Sequence, residues 1–309
     1  MKEFTFAILT YNQRSLIVEQ LESIKRQVEN YGQDYQTDVV LSDDCSTDDT
    51  VIVAQKWLEQ HKHLFRNIKI LQAEKNQGVV KNFIKMISHI DTEYTKYLAG
   101  DDYYFSNNIY EATYGKQFLL SPTLQLFGDT ITQKQPRWLY KEYLLLNKSL
   151  RRHVIRKRLA YQLSLETPGV SWATSLIDEG MMFALRDYKW IEDVPLWNYL
   201  LSKKIDVEMT DKPLVVYRMN AGISQDKKHE KVTVFDEEVI KLRQEIQVHM
   251  NNRLYRYKRA IAKRIIKYFF CNTACVRKLD ESLAEAFAEA DDYVASITQA
   301  AKSWMLANM

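Results

Sequence analysis

The chain has 309 residues, 46% of them hydrophobic, which suits one large domain or a catalytic domain with an appendage. A formal net charge of only +3 excludes the strongly basic composition of a typical nucleic-acid binder. The three cysteines are odd in number and scattered, so a disulfide framework is not expected and a reducing compartment fits better.

Short apolar runs alternate with helical periodicity along the N-terminal part of the chain. The predicted strands span 4–9, 38–42, 67–72 and 94–99. Asn12 is the predicted N-cap of the first intervening helix, and Asp48 or Asp49 that of the second. Strand–helix alternation of this kind indicates βαβ units, and therefore an α/β fold with a mostly parallel sheet and flanking helices.

The chain beyond residue 124 is less regular. The further predicted elements are a strand within 124–132, a helix over 138–158 and a hairpin over 207–218. From about residue 233 the pattern is helical to the C-terminus. We therefore predict a catalytic domain over 1–228 and a helical appendage over 229–309.

Polar segments follow three of the predicted strands. The sequence reads TYN after the first strand, DDCSTDD after the second and GDD after the fourth. Because ligands bind beyond the carboxyl ends of parallel strands, we expect these segments to converge on one edge of the sheet. Neither G-x-G-x-x-G nor G-x-x-x-x-G-K-[ST] occurs at the first turn, which excludes the usual dinucleotide and P-loop sites.

The fourth predicted strand ends in two adjacent carboxylates, Asp101 and Asp102. Two such charges repel each other and lose solvation in a cleft. A divalent cation resolves both problems, since Mg²⁺ and Mn²⁺ prefer oxygen ligands and take the rest of their shell from water and phosphates. A solvated Asp-Asp turn is the alternative for an isolated pair.

Five motifs in order resemble the GT-A, family-2-type inverting glycosyltransferases. They are AILTYNQ (7–13), VVLSDDCSTDDT (39–50), NQGVVKNF (76–83), YLAGDD (97–102) and IEDVPLW (191–197). The resemblance covers roughly residues 3–225 and implies a GT-A fold, Rossmann-like with a mostly parallel sheet. It also implies transfer of a sugar from a nucleotide diphosphate donor, with Mn²⁺ or Mg²⁺ as cofactor.

The resemblance assigns the nucleotide sugar to residues that follow the strands. They are Thr10, Tyr11, Asn12, Asp44, Gly78, Lys81, Asn82, Asp101 and Arg218. Asp44 matches the acid that accepts the uracil N3–H in relatives, so a UDP-linked donor is expected, while Asp43 is assigned to orienting the loop. Tyr11 either stacks on the base or packs beneath the sheet. Lys81 stands where many relatives carry Arg, so a point charge replaces a bidentate phosphate contact.

The resemblance also implies the metal ligands and the catalytic pair. Asp102 is the expected direct ligand, with Asp101 contacting ribose or a metal-bound water. Asp193 is the expected general base, because the acceptor hydroxyl must lose its proton as the new bond forms. Glu192 would support it or bind the acceptor. The alternative is that Glu192 and Asp193 only cap the helix that begins near Val194.

Gly169 and Trp172 fall in the stretch that faces the acceptor in relatives. Trp172 either stacks on a sugar ring or packs in the core. The acceptor is expected to be a glycan or lipid-linked glycan of polysaccharide biosynthesis, and nucleic acid is not an expected partner. The competing interpretations are a metal-dependent phosphohydrolase or nucleotidyltransferase, and an inactive protein that binds sugar nucleotides.

The predicted appendage contains two amphipathic helices of opposite charge. The segment 251–270 holds seven Lys or Arg and no acidic residue, with apolar residues along the opposite face. It either lies on an anionic membrane or docks on the catalytic domain. The acidic segment 280–308 is open to pairing with the basic helix or with a second subunit of a homodimer. No run reaches the ~18 apolar residues of a membrane span, so we expect a cytoplasmic protein, at most peripheral on the inner face of the membrane.

Overall fold

The computed structural model describes residues 1–132, 138–159, 165–219, 230–247 and 252–309, so residue 251 of the predicted basic segment lies outside it. The strands are β1 (Lys2–Thr10), β2 (Tyr35–Asp43), β3 (Asn67–Gln72), β4 (Tyr94–Ala99), β5 (Tyr103–Tyr104), β6 (Phe118–Leu120), β7 (Thr123–Phe127), β8 (Thr130–Ile131), β9 (Val170–Ala173), β10 (Val207–Met209) and β11 (Val215–Arg218).

The helices follow the same chain order. They are α1 (Ile17–Tyr31), α2 (Thr50–Gln60), α3 (Val79–Ile87), α4 (Ile109–Thr113), α5 (Trp138–Leu144), α6 (Lys148–Leu159), α7 (Glu179–Leu185), α8 (Asp193–Ser202), α9 (Glu230–Gln247), α10 (Asn252–Ile265) and α11 (Ala274–Asn308). A π-helical turn, Ile266–Phe270, continues α10. None of the helices within the described ranges is long and apolar enough to cross a membrane.

The larger sheet has seven strands in the order β10-β6-β9-β4-β1-β2-β3. Its pairs are parallel except that β9 runs antiparallel to both of its neighbours. This mixed but mostly parallel sheet confirms the predicted α/β class. A smaller sheet has the order β5-β11-β7-β8.

The predicted hairpin over 207–218 is wrong. Its two strands belong to different sheets, because β10 pairs with β6 whereas β11 pairs with β5 and β7. The chain between them therefore crosses from one sheet to the other, and this crossing brings Arg218 to the end of β4.

Alternating residues of β1 enter two separate apolar clusters, one on each face of the larger sheet. Phe4, Phe6 and Ile8 pack with buried residues of α1 and α2. Ala7 and Leu9 pack with buried residues of α3, α8 and α11. Both faces are therefore covered, as a parallel sheet requires.

Asp49 is the N-cap residue of α2, as predicted, whereas the predicted cap of α1 is wrong. Asn12 is not an N-cap: α1 begins at Ile17, and Asn12 has a φ of 52°. Its side-chain oxygen instead accepts from Thr47 N at 2.8 Å, which ties the turn after β1 to the turn after β2. At α2 the side chain of Asp49 makes no cap hydrogen bond, while Asp48 Oδ1 accepts from Thr50 N at 3.0 Å.

The long helix α11 covers the catalytic core. One of its faces is buried, through Leu279, Leu283, Val294 and Ile297 among others. Tyr293 Oη also donates to the carbonyl of Tyr104 at 2.9 Å. The apolar face of the acidic segment is therefore already occupied within the chain. Its pairing with the basic helix or with a second subunit stays a prediction, and it would have to use another face. The boundary near residue 228 stays a prediction.

The packing of α11 predicts that one of its leucines matters to stability far more than another. Leu283→Ala removes a side chain that is 3% exposed, and we expect it to lower the free energy of unfolding by ~2–5 kcal/mol. Leu306→Ala, on the same helix but 89% exposed, should cost less than about 0.5 kcal/mol. Urea unfolding followed by circular dichroism measures both; equal losses would contradict the packing of α11.

Candidate functional site

The polar segments after β1, β2 and β4 meet at one edge of the larger sheet, as predicted. Asp44 N donates to Thr10 O at 3.1 Å, and Gly100 N donates to Leu9 O at 2.9 Å. A Cβ at Gly100 would lie 2.4 Å from Gln13 Oε1, so a larger residue there would displace the Gln13 side chain.

Asp44 holds the segment that leads into α3. Its two carboxylate oxygens accept from Gln77 N at 2.7 Å and Gly78 N at 2.8 Å. Gly78 has a φ of 92°, a conformation that favours glycine. Burial raises the pKa of Asp44 in spite of these two hydrogen bonds. The carboxylate retains lone pairs for a further donor, such as a base N–H.

A cavity of about 240 Å³ lies beside Asp44. Residues from the ends of β2 and β3 and from α3 line it: Asp44, Ala73, Gln77, Lys81, Asn82, Ile84 and Lys85. Three of the predicted site residues, Asp44, Lys81 and Asn82, thus line one cavity, and Gly78 is next to Gln77 in the chain.

Asn82 has a supporting position in this wall. It is buried, its Oδ1 accepts from Ser42 Oγ at 2.6 Å, and its Nδ2 donates to Ser42 O at 3.0 Å. Asp43 likewise accepts from Ser46 N at 2.7 Å. Asn82 and Asp43 thus stabilise the end of β2 and the loop that follows it. Of the other predicted donor-binding residues, Lys81 is exposed and Tyr11 is half-buried.

Asp101 and Asp102 are buried beside the end of β11. Asp102 Oδ1 accepts from Arg218 N at 2.8 Å, and Arg218 Nε donates to Asp101 O at 3.1 Å. The guanidinium of Arg218 also pairs with Glu19. Burial and the neighbouring charge of Asp101 raise the pKa of Asp102 well above its usual range, and burial raises that of Asp101.

The donor set at this point suits a cation that takes only two ligands from protein. In the part of the chain that the structure describes, no group of three or more His, Cys, Asp or Glu side chains could hold a metal. Mg²⁺ characteristically uses one or two carboxylates and completes its shell with water and substrate phosphate. Asp101 and Asp102 fit that pattern.

The second carboxylate pair stands at the start of α8. Asp193 Oδ2 accepts from Thr167 Oγ1 at 3.1 Å, and its Oδ1 accepts from Val194 N at 2.7 Å. Tyr97 Oη donates to Glu192 Oε1 at 3.2 Å. The side chain of Glu192 makes no cap hydrogen bond, so capping alone does not account for it.

Burial, followed by the charge of Asp193, raises the pKa of Glu192 from 4.5 to about 8. Burial also raises the pKa of Asp193, against the hydrogen bonds from Val194 and Thr167. The pair therefore holds a proton near neutral pH, and the hydrogen bonds to Asp193 favour placing that proton on Glu192.

Two tyrosines, Tyr97 and Tyr217, are affected by the charges of both carboxylate pairs. The pKa of Tyr217 rises to about 12 through burial and then through the charges of Asp102, Asp101, Glu166 and Asp193. Burial also raises the pKa of Tyr97, and the charge of Glu192 is the next largest cause of this increase. Charges from both pairs therefore act on these phenols.

The Asp44 loop also reaches the second pair. Val80 N donates to Lys189 O at 3.0 Å, and a Cβ at Gly78 would lie 2.6 Å from Lys189 Cγ. Lys189 stands three residues before Glu192, so the wall of the cavity and the loop before α8 are in direct contact.

Both predicted acceptor residues of 169–172 are buried, and for Trp172 this favours the core-packing alternative. Trp172 is 2% exposed and packs against the rings of Tyr97 and Trp197, so it belongs to the core and has no face for a sugar. Gly169 is also buried, and a Cβ there would lie 2.4 Å from Ser121 O. The apolar character of this strand reflects its position in the middle of the larger sheet.

One carboxylate of α9, also not indicated by the sequence, holds the loop before Glu192. Glu238 Oε1 accepts from Lys189 N at 2.7 Å, and its Oε2 accepts from Trp190 N at 2.9 Å and Ile191 N at 3.2 Å. Three consecutive backbone donors thus depend on one side chain. Glu238 therefore positions the segment that leads to Glu192 and Asp193.

Glu238→Gln should loosen this loop, because an amide presents one acceptor oxygen where the carboxylate presents two. Hydrogen bonds to charged groups contribute ~1.5–3 kcal/mol each, so we expect amide exchange at 189–191 to accelerate roughly tenfold or more. Hydrogen–deuterium exchange by mass spectrometry measures it. Glu237→Gln, at the exposed neighbouring position, is the control. Unchanged protection in Glu238→Gln would refute the positioning role.

The raised pKa of Glu192 predicts a pH-dependent loss of stability. Between 4.5 and about 8 the folded protein binds more protons at this site than the unfolded chain. The free energy of unfolding therefore falls as pH rises through this window. Glu192→Gln should remove on the order of 1 kcal/mol of that fall, a figure reduced for solvent screening of a half-buried group.

Thermal unfolding of wild type and Glu192→Gln at pH 5 and pH 9 tests this linkage. The expected result is a smaller decrease in Tm for the variant. Parallel curves for the two proteins would show that Glu192 ionises with an ordinary pKa.

The chain is similar to known glycosyltransferases both in sequence and in fold. Residues 5–114 match the family model for glycosyl transferase family 2. Poly(ribitol-phosphate) beta-N-acetylglucosaminyltransferase TarS of Staphylococcus aureus is 26% identical over 223 residues, which cover 69% of this chain and 35% of that protein. The chain thus matches only about a third of the length of this curated relative.

Two crystal structures of S. aureus TarS 1-349 share the fold. One superposes with a TM-score of 0.54 at 18% identity, covering 100% of this chain and 92% of that one. The other, in complex with UDP-GlcNAc, gives a TM-score of 0.51 at 20% identity, covering 93% of this chain and 73% of that one. At these identities the likeness shows the fold.

Proposed function

We propose that this chain, whose residues 5–114 form a family 2 glycosyltransferase domain of the GT-A type, transfers a sugar from a UDP-linked donor with inversion. The observation that carries the proposal is that Tyr97 of β4 links two carboxylate pairs. Its hydroxyl donates to Glu192 of the half-buried pair Glu192–Asp193 at 3.2 Å, and the buried pair Asp101–Asp102 directly follows the end of β4. One pair suits a metal-bound diphosphate and the other suits proton removal from an acceptor.

The donor side of the proposal rests on the Asp44 cavity. Asp44 stands at its wall with lone pairs available to an imide N–H, which favours uracil over bases that lack that donor. The relative's name specifies N-acetylglucosaminyl transfer, and one structural neighbour was solved with UDP-GlcNAc. We therefore assign the donor to the UDP-hexose or UDP-N-acetylhexosamine class.

Asp102 would hold Mn²⁺ or Mg²⁺ directly, with Asp101 beside it. When bound, the cation stabilises the charge of the departing diphosphate, so no carboxylic acid is needed to protonate the leaving group. The guanidinium of Arg218 pairs with Glu19 in this structure, and a phosphate contact would require it to leave that pair.

Asp193 is the proposed general base. Inversion needs in-line attack by an acceptor hydroxyl, and that hydroxyl must pass its proton to a group within hydrogen-bond reach. Thr167 and Val194 N fix the orientation of the carboxylate and stabilise its charge. Glu192, protonated near neutral pH, lowers the repulsion between the two groups and can donate a hydrogen bond to the acceptor.

The acceptor belongs to the same proposal: a glycan or lipid-linked glycan of polysaccharide biosynthesis. All three cysteines are free, which supports a cytoplasmic setting. A homodimer remains part of the proposal without a structural argument.

The main alternative is a metal-dependent phosphohydrolase or nucleotidyltransferase that acts on nucleotide sugars. Such an enzyme would use the Asp101–Asp102 pair but would leave Glu192 and Asp193 without a role. It would release phosphate or pyrophosphate, whereas a transferase releases intact UDP. An inactive binding protein would release neither.

Asp193→Asn should keep UDP binding and lose transfer by about 10²–10⁴-fold, the usual contribution of a general base. The measurement is UDP release from a panel of radiolabelled nucleotide sugars with a glycan acceptor, beside UDP affinity by calorimetry. Asp187→Asn, an exposed acid near the same loop, is the matched control. Full transfer activity in Asp193→Asn would eliminate the base assignment, and release of inorganic phosphate would favour the alternative enzyme class.

A further inference from the structure

The helix α10 and the π-helical turn after it have no buried side chain among those described. One face of the helix carries solvent-exposed apolar and aromatic residues: Tyr257 is 66% exposed, Ile265 43%, Tyr268 73% and Phe269 78%. The same segment holds seven Lys or Arg and no Asp or Glu. It is a strongly amphipathic helix whose apolar face remains exposed.

The neighbouring helix α11 shows that this exposure is specific to α10. Both helices are amphipathic, yet α11 buries Leu283, Val294 and Ile297 against the catalytic core. The expectation that the basic helix docks on the catalytic domain with only its charged face solvated is therefore not met. Its apolar face is left for another partner.

We propose that α10 and the following turn bind the surface of an anionic lipid bilayer. Such a surface is the one partner that satisfies both faces. The interface covers the apolar face, and the negative headgroups attract the seven cations. An acidic protein or the acidic face of α11 in a second copy would match the charge but leave the aromatic residues in water.

The positions of the aromatic residues support an interfacial location. Tyr257 and Tyr268 have an apolar ring and a polar hydroxyl, a combination that prefers the boundary between headgroups and acyl chains. No helix in the described ranges could span a bilayer, so the segment lies on the surface and does not cross it. This inference goes beyond the proposed function, because it concerns where the protein works and not what it transfers.

Co-sedimentation of the full chain with vesicles tests the proposal. We expect binding to phosphatidylcholine vesicles that contain about a third phosphatidylglycerol, little binding to phosphatidylcholine alone, and weaker binding at high salt. The charge variant Arg256→Gln/Lys258→Gln/Arg264→Gln/Lys267→Gln should bind anionic vesicles at least roughly 100-fold more weakly. The aromatic variant Tyr257→Ser/Tyr268→Ser/Phe269→Ser should bind at least roughly tenfold more weakly.

A matched control removes equally exposed apolar side chains elsewhere. Phe127→Ser/Phe183→Ser/Ile240→Ser changes residues that are 55%, 62% and 54% exposed, and it should bind vesicles like wild type. All the substituted side chains are exposed, so we expect every variant to fold. Circular dichroism spectra and Tm values like those of wild type check this. Asp193→Asn should bind vesicles normally while losing transfer, so the two proposals fail separately.

Three results would overturn the proposal. The first is failure of the wild-type chain to bind anionic vesicles. The second is unchanged binding by the charge or aromatic variant. The third is a dimer, measured by light scattering, that the aromatic variant converts to monomer without any change in vesicle binding; this would show that a second copy covers the apolar face.

Discussion

The burial of like charges is the constraint on which the rest of the site depends. Asp101 and Asp102 lie side by side out of bulk water, and the nearest cation, Arg218, already shares its charge with Glu19. Desolvation of two adjacent carboxylates is costly unless they take up protons or a cation. Such a buried pair therefore favours the binding of a cation at that point. A metal ion bound to a nucleotide diphosphate would supply the positive charge.

The C-terminal helices contribute to this arrangement more than their distance in sequence suggests. Thr298 of α11 donates to Glu19 at 3.1 Å, Glu19 pairs with Arg218, and Arg218 N donates to Asp102. Glu238 of α9 fixes the loop before Glu192 in the same way. Each carboxylate pair is thus held by one of these helices.

Sequence periodicity located β1 to β4 and the polar turns that follow them, because buried parallel strands and their tips have a strong local signature. The motifs then singled out Asp44, Asp102 and Asp193. Sequence could not distinguish a ligand from its support. Asn82 and Trp172 have chemistry suited to binding, but in the structure Asn82 bonds α3 to Ser42 of β2, and Trp172 packs in the core.

Long-range contacts account for what the sequence did not predict. Tyr97 contacts Glu192 at a separation of 95 residues, and Glu238 contacts Lys189 at a separation of 49 residues; no local pattern marks such pairs. The predicted hairpin is wrong for the same reason. β10 pairs with β6 and β11 pairs with β7, so neither strand pairs with the other.

Anomalous diffraction from crystals soaked with Mn²⁺ and UDP tests the central claim most directly. The account predicts one manganese peak at roughly 2.0–2.6 Å from a carboxylate oxygen of Asp102, with the diphosphate on its other side and the uracil beside Asp44. A manganese ion bound away from Asp101 and Asp102 would contradict this metal site. Well-ordered UDP with no metal ion at Asp101 and Asp102 would also contradict it.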